Sequence, residues 1–327
     1  MPLRLLRYPA PGTEVRVPVL LVPGIGMSGR IFSTDTVDTN LVEYLHAEGL
    51  DVWVLDHRGS PDLEASEGEF GADDVATHDI PAAVARVREL SLAPQIDVIA
   101  QAFGAMTLQM ALVDGLQGVR SAVCLQMGLH VVTPNMTRLK AGLHLPSVLK
   151  AIGKKSLTPR AGRSGWQSTL FDATLRMLPV KMQESCTNGV CRRIAFMYGS
   201  LYPHEQLNRM THDTLHEIFG MTNLTAFGHL AQMVRAGHAV HAESGASYVR
   251  DLDRLAIPIT FVHGEKNECF LPESTQATYE ALVAANPGAR YRREVVAGYG
   301  DVDCLIGKNA ARDVFPLIRS HLEAPLG

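Results

Sequence analysis

The 327-residue sequence lacks several features that would place it in a specialised class of protein. It has no basic surplus, because 30 Lys and Arg residues stand against 34 Asp and Glu residues. No basic run is long enough to form a nucleic-acid-binding patch. No stretch approaches the roughly 20 apolar residues of a membrane span, and the N-terminus has no apolar segment typical of a signal peptide. We therefore expect a cytoplasmic globular protein with no membrane span and no nucleic-acid partner.

Cysteine is scarce and odd in number, so no disulfide framework is expected in a chain of this size. The five cysteines are Cys124, Cys186, Cys191, Cys269 and Cys304. Two of them, Cys186 and Cys191, lie close together in ESCTNGVC, which favours a pair of reduced thiols in a turn; a disulfide or a metal site is the alternative. No CxxC motif supports a metal site. Nothing else in the sequence implies a metal or an organic cofactor, so we expect neither.

Short apolar runs alternate with helix-like segments along most of the chain. Six runs are typical of strands buried on both faces of a parallel sheet: 17–22, 51–55, 96–100, 121–127, 257–263 and 291–297. Helical patterns lie between or after them, at 38–47, 74–90, 103–113, 273–285 and 310–322. This alternation predicts an α/β fold with right-handed βαβ units and a mostly parallel, doubly wound sheet.

One long stretch interrupts the alternation. Residues 132–248 contain helix-like pieces and no strand-like run, and about 115 residues are too many for a loop. We expect a helical cap there, above the carboxyl edge of the sheet, which leaves 1–131 and 249–327 as the core. The apolar composition of the cap predicts a pocket for a small apolar ligand; an inert structural insertion is the alternative.

A glycine-rich turn follows the first of the central strands. Its letters, GIGMSG, match a dinucleotide-binding pattern, but a proline precedes them and no clear helix follows directly. The turn is better explained as one whose backbone amides, that of Ile25 among them, point at an oxyanion.

A second turn, AQAFGA, joins the strand at 96–100 to the helix at 103–113. Small residues at alternate positions between a strand and a helix are typical of a nucleophile elbow. The central residue is Ala102, which cannot act as a nucleophile. The amide of Phe103 would still lie at a helix N-terminus, where it can stabilise negative charge.

Several segments together resemble the α/β-hydrolase-fold family. More narrowly, the chain is similar to hydrolase modules fused to, or encoded beside, cholesterol-oxidase-like flavin oxidoreductases. The segments are PGIGMSG, DHRGS, AQAFGA, CLQMGLH, CRRIAFMYG, GHLAQMVRAGH, FLPEST and GYGDVDCLIGKNAARDVFP, which extend over nearly the whole chain. The resemblance implies a three-layer α/β-hydrolase fold and relatives that hydrolyse apolar esters or thioesters, often through a cysteine.

The sequence departs from this family pattern at the positions that carry the chemistry. Ala102 stands where relatives have Cys or Ser, and Asp301, in GYGD, stands where they have His. The acid position corresponds to Asn267, with Glu268 close by. A covalent triad needs a nucleophile and a base within hydrogen-bond reach, so this chain cannot use that mechanism at these positions.

Four functions fit these departures. We favour a non-covalent acid–base catalyst, a cyclase, isomerase or lyase, in which Asp301 under an apolar cap transfers a proton and the amides of Ile25 and Phe103 hold an oxyanion. The alternatives are a hydrolase inactivated by replacement of Cys or Ser with Ala102, a non-catalytic ligand-binding protein, and a hydrolase with displaced catalytic residues. His130, expected at the sheet edge, is either a base or substrate partner, or a structural histidine.

Overall fold

The structure is a computed structural model, and it describes residues 2–12, 16–61, 63–135, 155–160 and 186–323. Seven strands form one sheet in the order β1-β3-β2-β4-β5-β8-β9, and two further strands, β6 and β7, pair separately. The strands are β1 (Arg4–Tyr8), β2 (Val19–Val22), β3 (Val52–Asp56), β4 (Ile96–Gln101), β5 (Val119–Leu125), β6 (Ser156–Leu157), β7 (Thr222–Asn223), β8 (Ile259–Gly264) and β9 (Tyr291–Val296).

All six predicted strands are present, each within a few residues of its predicted bounds. They pair in parallel, whereas β1 pairs antiparallel with β3 at the sheet edge. β1 was not predicted from the sequence, because it is short, carries two arginines and has three exposed and two half-buried residues. Those arginines, Arg4 and Arg7, bond to Asp56, the last residue of β3, and to Asp51, which directly precedes β3.

Helices connect the strands and cover both faces of the sheet. They are α1 (Leu41–Ala47), α2 (Ala72–Asp74), α3 (Ile80–Ser91), α4 (Phe103–Val113), α5 (Gly189–Tyr198), α6 (Arg209–Asp213), α7 (Leu215–Ile218), α8 (Leu224–Ala236), α9 (Glu273–Ala285), α10 (Asp303–Ile306), α11 (Ala310–Asp313) and α12 (Phe315–Glu323). A π-helical turn at Val75–Asp79 joins α2 to α3.

The predicted helix bounds are confirmed for α4 and α9 and differ elsewhere. The helix predicted from residue 38 begins at Leu41, because Asn40 and Glu43 form a reciprocal capping box there. The predicted C-terminal helix is divided into α11 and α12 at Val314, which precedes Phe315 and Pro316. Proline disfavours helical backbone in the residue before it, which accounts for a break near this point.

Alternate residues of each central strand face opposite layers of helices. Leu20 and Val98 lie in the apolar cluster on one face of the sheet, and Leu21 and Ile99 lie in the cluster on the other. Both faces are therefore buried, as the nearly continuous apolar runs predicted. The result is a three-layer, doubly wound α/β fold.

The predicted cap, 132–248, is described only in part. Its described residues include helices α5 to α8, but they also include β6 and β7, which pair antiparallel. The expectation that this stretch has no strand is therefore wrong; two-residue strands give no apolar run to detect. Residues 136–154 and 161–185 lie outside the described residues. Of the helices in the described ranges, none combines the length and apolar character needed to cross a membrane.

Candidate active site

The turn between β4 and α4 holds Ala102 in a backbone conformation that L-residues rarely adopt. Its φ is 47° and its ψ is −113°. The Ala102 amide donates to the Leu125 carbonyl at 2.9 Å, and the Ala102 carbonyl accepts from the Met106 amide at 3.0 Å. Such a conformation costs on the order of 1–3 kcal/mol and persists only where its surroundings impose it. The chain thus keeps the backbone of a nucleophile elbow around a residue without a nucleophile.

Close packing of α4 against β2 requires the small residues of this turn. A Cβ atom on Gly104 would lie 2.5 Å from the Pro23 carbonyl oxygen and 2.8 Å from that of Val22. Only glycine allows the helix to begin this close to the neighbouring strand. The small residue two positions after Ala102 is therefore required by steric contact with the neighbouring chain.

The two backbone amides predicted to hold an oxyanion are those of Ile25 and Phe103. Phe103 is the first residue of α4, and Ile25 lies in the turn after β2. Within the described ranges, neither amide donates a hydrogen bond to another group. A helix N-terminus favours negative charge, so the Phe103 amide is suited to hold an oxyanion.

A buried histidine fixes the turn that carries Ile25. His57 Nδ1 accepts from the Gly59 amide at 3.0 Å, so the proton resides on Nε2, which donates to the Pro23 carbonyl at 3.1 Å. Burial lowers the pKa of His57, which keeps this imidazole neutral. The Gly26 amide also donates to the Gly59 carbonyl at 2.8 Å. The turn is therefore attached at both sides to the segment that follows β3.

The Asp301 carboxyl group is buried between two side-chain amides. Only 1% of Asp301 is exposed. Its Oδ1 accepts from Gln101 Nε2 at 2.5 Å, and its Oδ2 accepts from Asn267 Nδ2 at 2.9 Å. Burial raises the pKa of Asp301 to about 7, and the two amide donors oppose that rise. A carboxyl group in this environment exchanges its proton near neutral pH.

Neutral amides also surround Asn267, which the sequence analysis assigned to the acid position. Asn267 Oδ1 accepts from the backbone amides of Cys269 and Phe270, which fixes the direction of its Nδ2 toward Asp301. Gln126 Oε1 accepts from Asn267 Nδ2 at 3.1 Å, and Gln126 Nε2 donates to the Asp301 carbonyl at 3.0 Å. Among the described residues, no cation forms an ion pair with Asp301. Its proton affinity is therefore set mainly by burial and amide hydrogen bonds.

Two predicted site residues lie apart from this buried group. Glu268 is exposed, although it neighbours Asn267 in sequence. His130 is half-buried and bonds through both its amide and its Nδ1 to Thr278 Oγ1, at 2.9 Å and 3.2 Å. Burial and the nearby His238 lower the pKa of His130. These contacts attach the end of the segment after β5 to α9. They favour a structural role for His130, the second of the two alternatives that the sequence left open.

Sequence reasoning missed several polar side chains at the site. Gln101, Gln126 and Tyr198 lie in segments that carry the family resemblance, but no role was assigned to them or to Thr222. Tyr198 Oη and Thr222 Oγ1 bond at 2.8 Å, and a Cβ on Gly26 would lie 2.0 Å and 2.2 Å from these two oxygens. Only Gln101 gave a usable signal, because it is a polar residue at the end of an otherwise apolar central strand.

Comparison with known proteins agrees with the architecture. A family model described as "alpha/beta hydrolase fold" matches residues 17–148. No curated protein sequence matches the chain. Similar solved structures include DcsB in complex with its substrate analogue, with 16% identity, a TM-score of 0.61 and coverage of 98% of this chain and 93% of that one. The α/β-hydrolase fold is thereby established for this chain.

Two further solved structures share the fold at low identity. The enol-lactonase from Burkholderia xenovorans LB400 is 12% identical, with a TM-score of 0.56 over 98% of this chain and 96% of that one. A monoacylglycerol lipase from Paleococcus ferrophilus is 16% identical, with a TM-score of 0.55 over 98% of this chain and 100% of that one. At these identities the likeness concerns the fold.

Proposed function

We propose that this protein is an α/β-hydrolase-fold enzyme that transfers a proton on an apolar carbonyl compound without a covalent intermediate. Asp301 is the acid–base group, and the amides of Ile25 and Phe103 hold the carbonyl oxygen. One observation carries the proposal. The buried Asp301 carboxyl group is bonded to Gln101, and the next residue, Ala102, has a strained elbow backbone but no nucleophilic side chain. Hydrolases of this fold need that nucleophile, and proton transfer does not.

The reaction class follows from what these groups can do. The ionised Asp301 carboxylate takes a proton from the carbon next to the substrate carbonyl, and the electron pair of that C–H bond moves onto the carbonyl oxygen. The two amides stabilise the resulting enolate oxygen. Where a C=C bond is conjugated with the enolate, protonated Asp301 returns the proton to the far carbon of that system, the double bond shifts, and the substrate is isomerised. Where the substrate has a second carbonyl group, the enolate carbon bonds to its carbon, the C=O electron pair moves onto that oxygen, and protonated Asp301 gives its proton to the resulting alkoxide, which completes cyclisation.

The Gln101 amide can serve both protonation states of Asp301. Its Nε2 donates to Asp301 Oδ1, whereas its Oε1 is buried and has no hydrogen-bond partner within the described ranges. A half-turn of the amide would place Oε1 against a protonated Asp301, which would then donate to it. The side chain next to the elbow is thus able to accompany each proton transfer.

Proton abstraction is tested by deuterium exchange. The protein is incubated in D₂O with medium-chain methyl ketones, β-keto esters and lactones, and deuterium at the carbon next to the carbonyl is measured by mass spectrometry. We expect protein-dependent exchange in at least one class, its loss in Asp301→Asn, and its retention in Asp253→Asn, which alters an exposed carboxylate. Exchange that persists in Asp301→Asn would overturn the role of Asp301. Ligand binding without any exchange would instead favour the non-catalytic binder.

A second candidate function is that of a hydrolase inactivated at Ala102. The observation in its favour is the elbow strain itself, which a nucleophile requires and alanine does not use. Ala102→Cys is incubated with a short and a long activated acyl ester, and intact mass reports an acyl adduct, with the unaltered protein as the control. An adduct at the new cysteine would favour this candidate, and its absence would favour non-covalent chemistry.

Several finer expectations remain predictions from the sequence. They are the narrower resemblance to modules found beside flavin oxidoreductases, the cytoplasmic location, the lack of a cofactor, and the division into a core at 1–131 and 249–327 and a cap at 132–248. The proposed chemistry depends on none of them except the apolar cap, which would exclude water from Asp301.

A further inference from the structure

Four side chains with metal-binding atoms converge in a part of the chain that the proposed function does not use. They are Cys186, Cys191, His204 and His212, and their ligand atoms all lie within 4.8 Å of one another. Cys191 is buried and the other three are half-buried. The sequence analysis predicted reduced thiols and no metal here, because Cys186 and Cys191 gave no recognised spacing with a histidine pair.

The distances between these atoms suit a tetrahedral metal site. Cys186 Sγ lies 3.4 Å from His212 Nε2, and Cys191 Sγ lies 3.3 Å from His204 Nε2. With Zn–S bonds near 2.3 Å and Zn–N bonds near 2.05 Å, the sulfur-to-nitrogen edge of a tetrahedron is about 3.6 Å. We propose that these four side chains bind one Zn²⁺ ion as a Cys₂His₂ site.

Two of the four ligands, Cys191 and His212, lie on capped helices. Asn188 caps α5 by accepting from the amides of Val190 and Cys191, so it fixes the first turn in which Cys191 lies. Asn208 caps α6, which carries His212, by accepting from the Thr211 amide. The two histidine rings lie 5.0 Å apart between their centroids, with both Nε2 atoms directed at sulfur.

Outer contacts orient the ligands as in known zinc sites. The Tyr202 hydroxyl donates to Cys191 Sγ at 3.1 Å, a bond that suits a sulfur carrying negative charge. Asp213 places Oδ1 3.7 Å from His212 Nδ1, on the side of the ring away from Cys186. A carboxylate beside the second ring nitrogen favours the tautomer whose Nε2 is free to bind metal.

Other occupants of the cluster fit less well. A disulfide between Cys186 and Cys191 would leave two imidazoles directed at sulfur without a role, and both thiols are free. Iron–sulfur clusters are held mainly by cysteine, whereas two sulfur and two nitrogen ligands in a tetrahedron are typical of zinc. Two thiolates also neutralise the charge of the ion, which reduces the cost of its partial burial.

Four protein ligands make the site closed, which is typical of a structural zinc rather than a catalytic one.

The segment that carries two of the ligands is hydrogen-bonded to the Asp301 turn. Between the ligands Cys191 and His204, the Leu201 carbonyl accepts from the Asp301 amide at 2.7 Å. Just after His204, Gln206 Nε2 donates to the Gly298 carbonyl at 2.9 Å. The ion would therefore fix the segment against which the Asp301 turn rests, and this inference stands independently of the proposed function.

Metal content tests the site directly. The protein is purified under reducing conditions without chelator, and zinc is measured by inductively coupled plasma mass spectrometry against protein concentration. We expect about one zinc per chain in the unaltered protein, and a loss of most of it in Cys186→Ser and in His212→Asn. Cys269→Ser and His78→Asn are the matched controls, because neither residue is in the cluster, and both should keep the zinc.

A second readout uses only the unaltered protein, in case the variants fail to fold. The protein is stripped with a chelator and titrated with Co²⁺. One equivalent should give the intense visible bands and the sulfur-to-metal charge-transfer band of tetrahedral, thiolate-bound cobalt, and Zn²⁺ should abolish them. Three results would overturn the proposal. The protein could fail to bind either ion, both ligand variants could retain zinc, or the native mass could be lower by two hydrogens because Cys186 and Cys191 form a disulfide.

Discussion

The side-chain amide of Gln101 donates a 2.5 Å hydrogen bond to the Asp301 carboxylate, across 200 positions of sequence. Gln101 is the last residue of β4 and directly precedes Ala102. The contact therefore joins the strained elbow to the buried carboxyl group of Asp301, which also accepts from Asn267. It relates the two unusual features of the site, a strained turn centred on an alanine and a buried carboxyl group.

Burial of Asp301 should make the protein's stability depend on pH. Its folded-state pKa, raised to about 7, lies above the value of about 3.9 for an unfolded aspartate. Between these two values the unfolded chain has released a proton that the folded chain still holds, so the free energy of unfolding should fall as pH rises from about 4 to 7. Part of this fall also comes from Asp303, whose pKa burial raises to about 7.

Asp301→Asn isolates the contribution of Asp301 to that fall. Because the amide carries no charge at any pH, we expect the variant to lose less stability between pH 5 and pH 8, by on the order of 1–4 kcal/mol. Urea unfolding at the two pH values measures the difference, and Asp253→Asn, an exposed carboxylate, is the control. An equal loss in Asp301→Asn and the unaltered protein would contradict the prediction.

A carboxyl group at position 267 should conflict with Asp301. Asn267 Nδ2 lies 2.9 Å from Asp301 Oδ2, so Asn267→Asp would place two carboxyl groups within hydrogen-bond distance. They can share one proton but cannot both ionise without strong repulsion. We expect a loss of about 2–4 kcal/mol in the free energy of unfolding at pH 8 and a much smaller loss at pH 5. A loss independent of pH would mean that Asn267 acts only through packing.

Glycine should relieve the strain at Ala102. Ala102 precedes α4 and has a φ of 47°, which glycine adopts without the steric cost that a Cβ imposes; this gain offsets the larger backbone entropy that glycine loses on folding. The free energy of unfolding should therefore stay the same or rise. Ala105→Gly, three residues later inside α4, should lower it by about 1 kcal/mol or more. Denaturant unfolding of both variants measures these free energies. An equal decrease in the free energy of unfolding of the two variants would argue against strain at the elbow.

Gly26 should tolerate no side chain. Its φ is 68°, and a Cβ would lie 2.0 Å from Tyr198 Oη and 2.2 Å from Thr222 Oγ1. Gly26→Ala should lower the free energy of unfolding by at least about 2 kcal/mol, because it combines backbone strain with overpacking. A Cβ on Gly288 would meet no atom within 4 Å, so Gly288→Ala should be nearly neutral. Similar thermal midpoints for the two variants would show that the hydroxyl pair does not lie against the turn.

The sequence predicted what depends on local patterns. β4, the elbow at Ala102 and α4 follow one another as an apolar run, a small-residue turn and a second apolar run, and the structure has this order. The edge strand β1 has no such pattern, because three of its five residues are exposed and its arginines pair with Asp56 and Asp51, at the two ends of the β3 segment. Apolar burial is thus visible in the sequence where both faces of a strand are covered and invisible where they are not.

The side chains around the site depend on long-range contacts that no local pattern encodes. Asp301 was found through the family resemblance, but its partners Gln101 and Asn267 come from two other strand ends. The cysteine–histidine cluster has the same origin. Its paired ligands lie 13 and 26 positions apart, and of the four only Cys191 and His212 lie on α-helices, α5 and α6. Their spacing matches no motif, so only the folded chain shows that they converge.

The central claim is that Asp301 holds and releases a proton near neutral pH, and infrared titration of its carboxyl group tests this most directly. Difference spectra are recorded between pH 5 and pH 9 for the unaltered protein and for Asp301→Asn, so that the subtraction removes Asp303 and every other carboxyl group. The account predicts a protonated-carboxyl band, present only in the unaltered protein, that disappears with a midpoint near pH 7. Identical spectra for the two proteins over this range would contradict it.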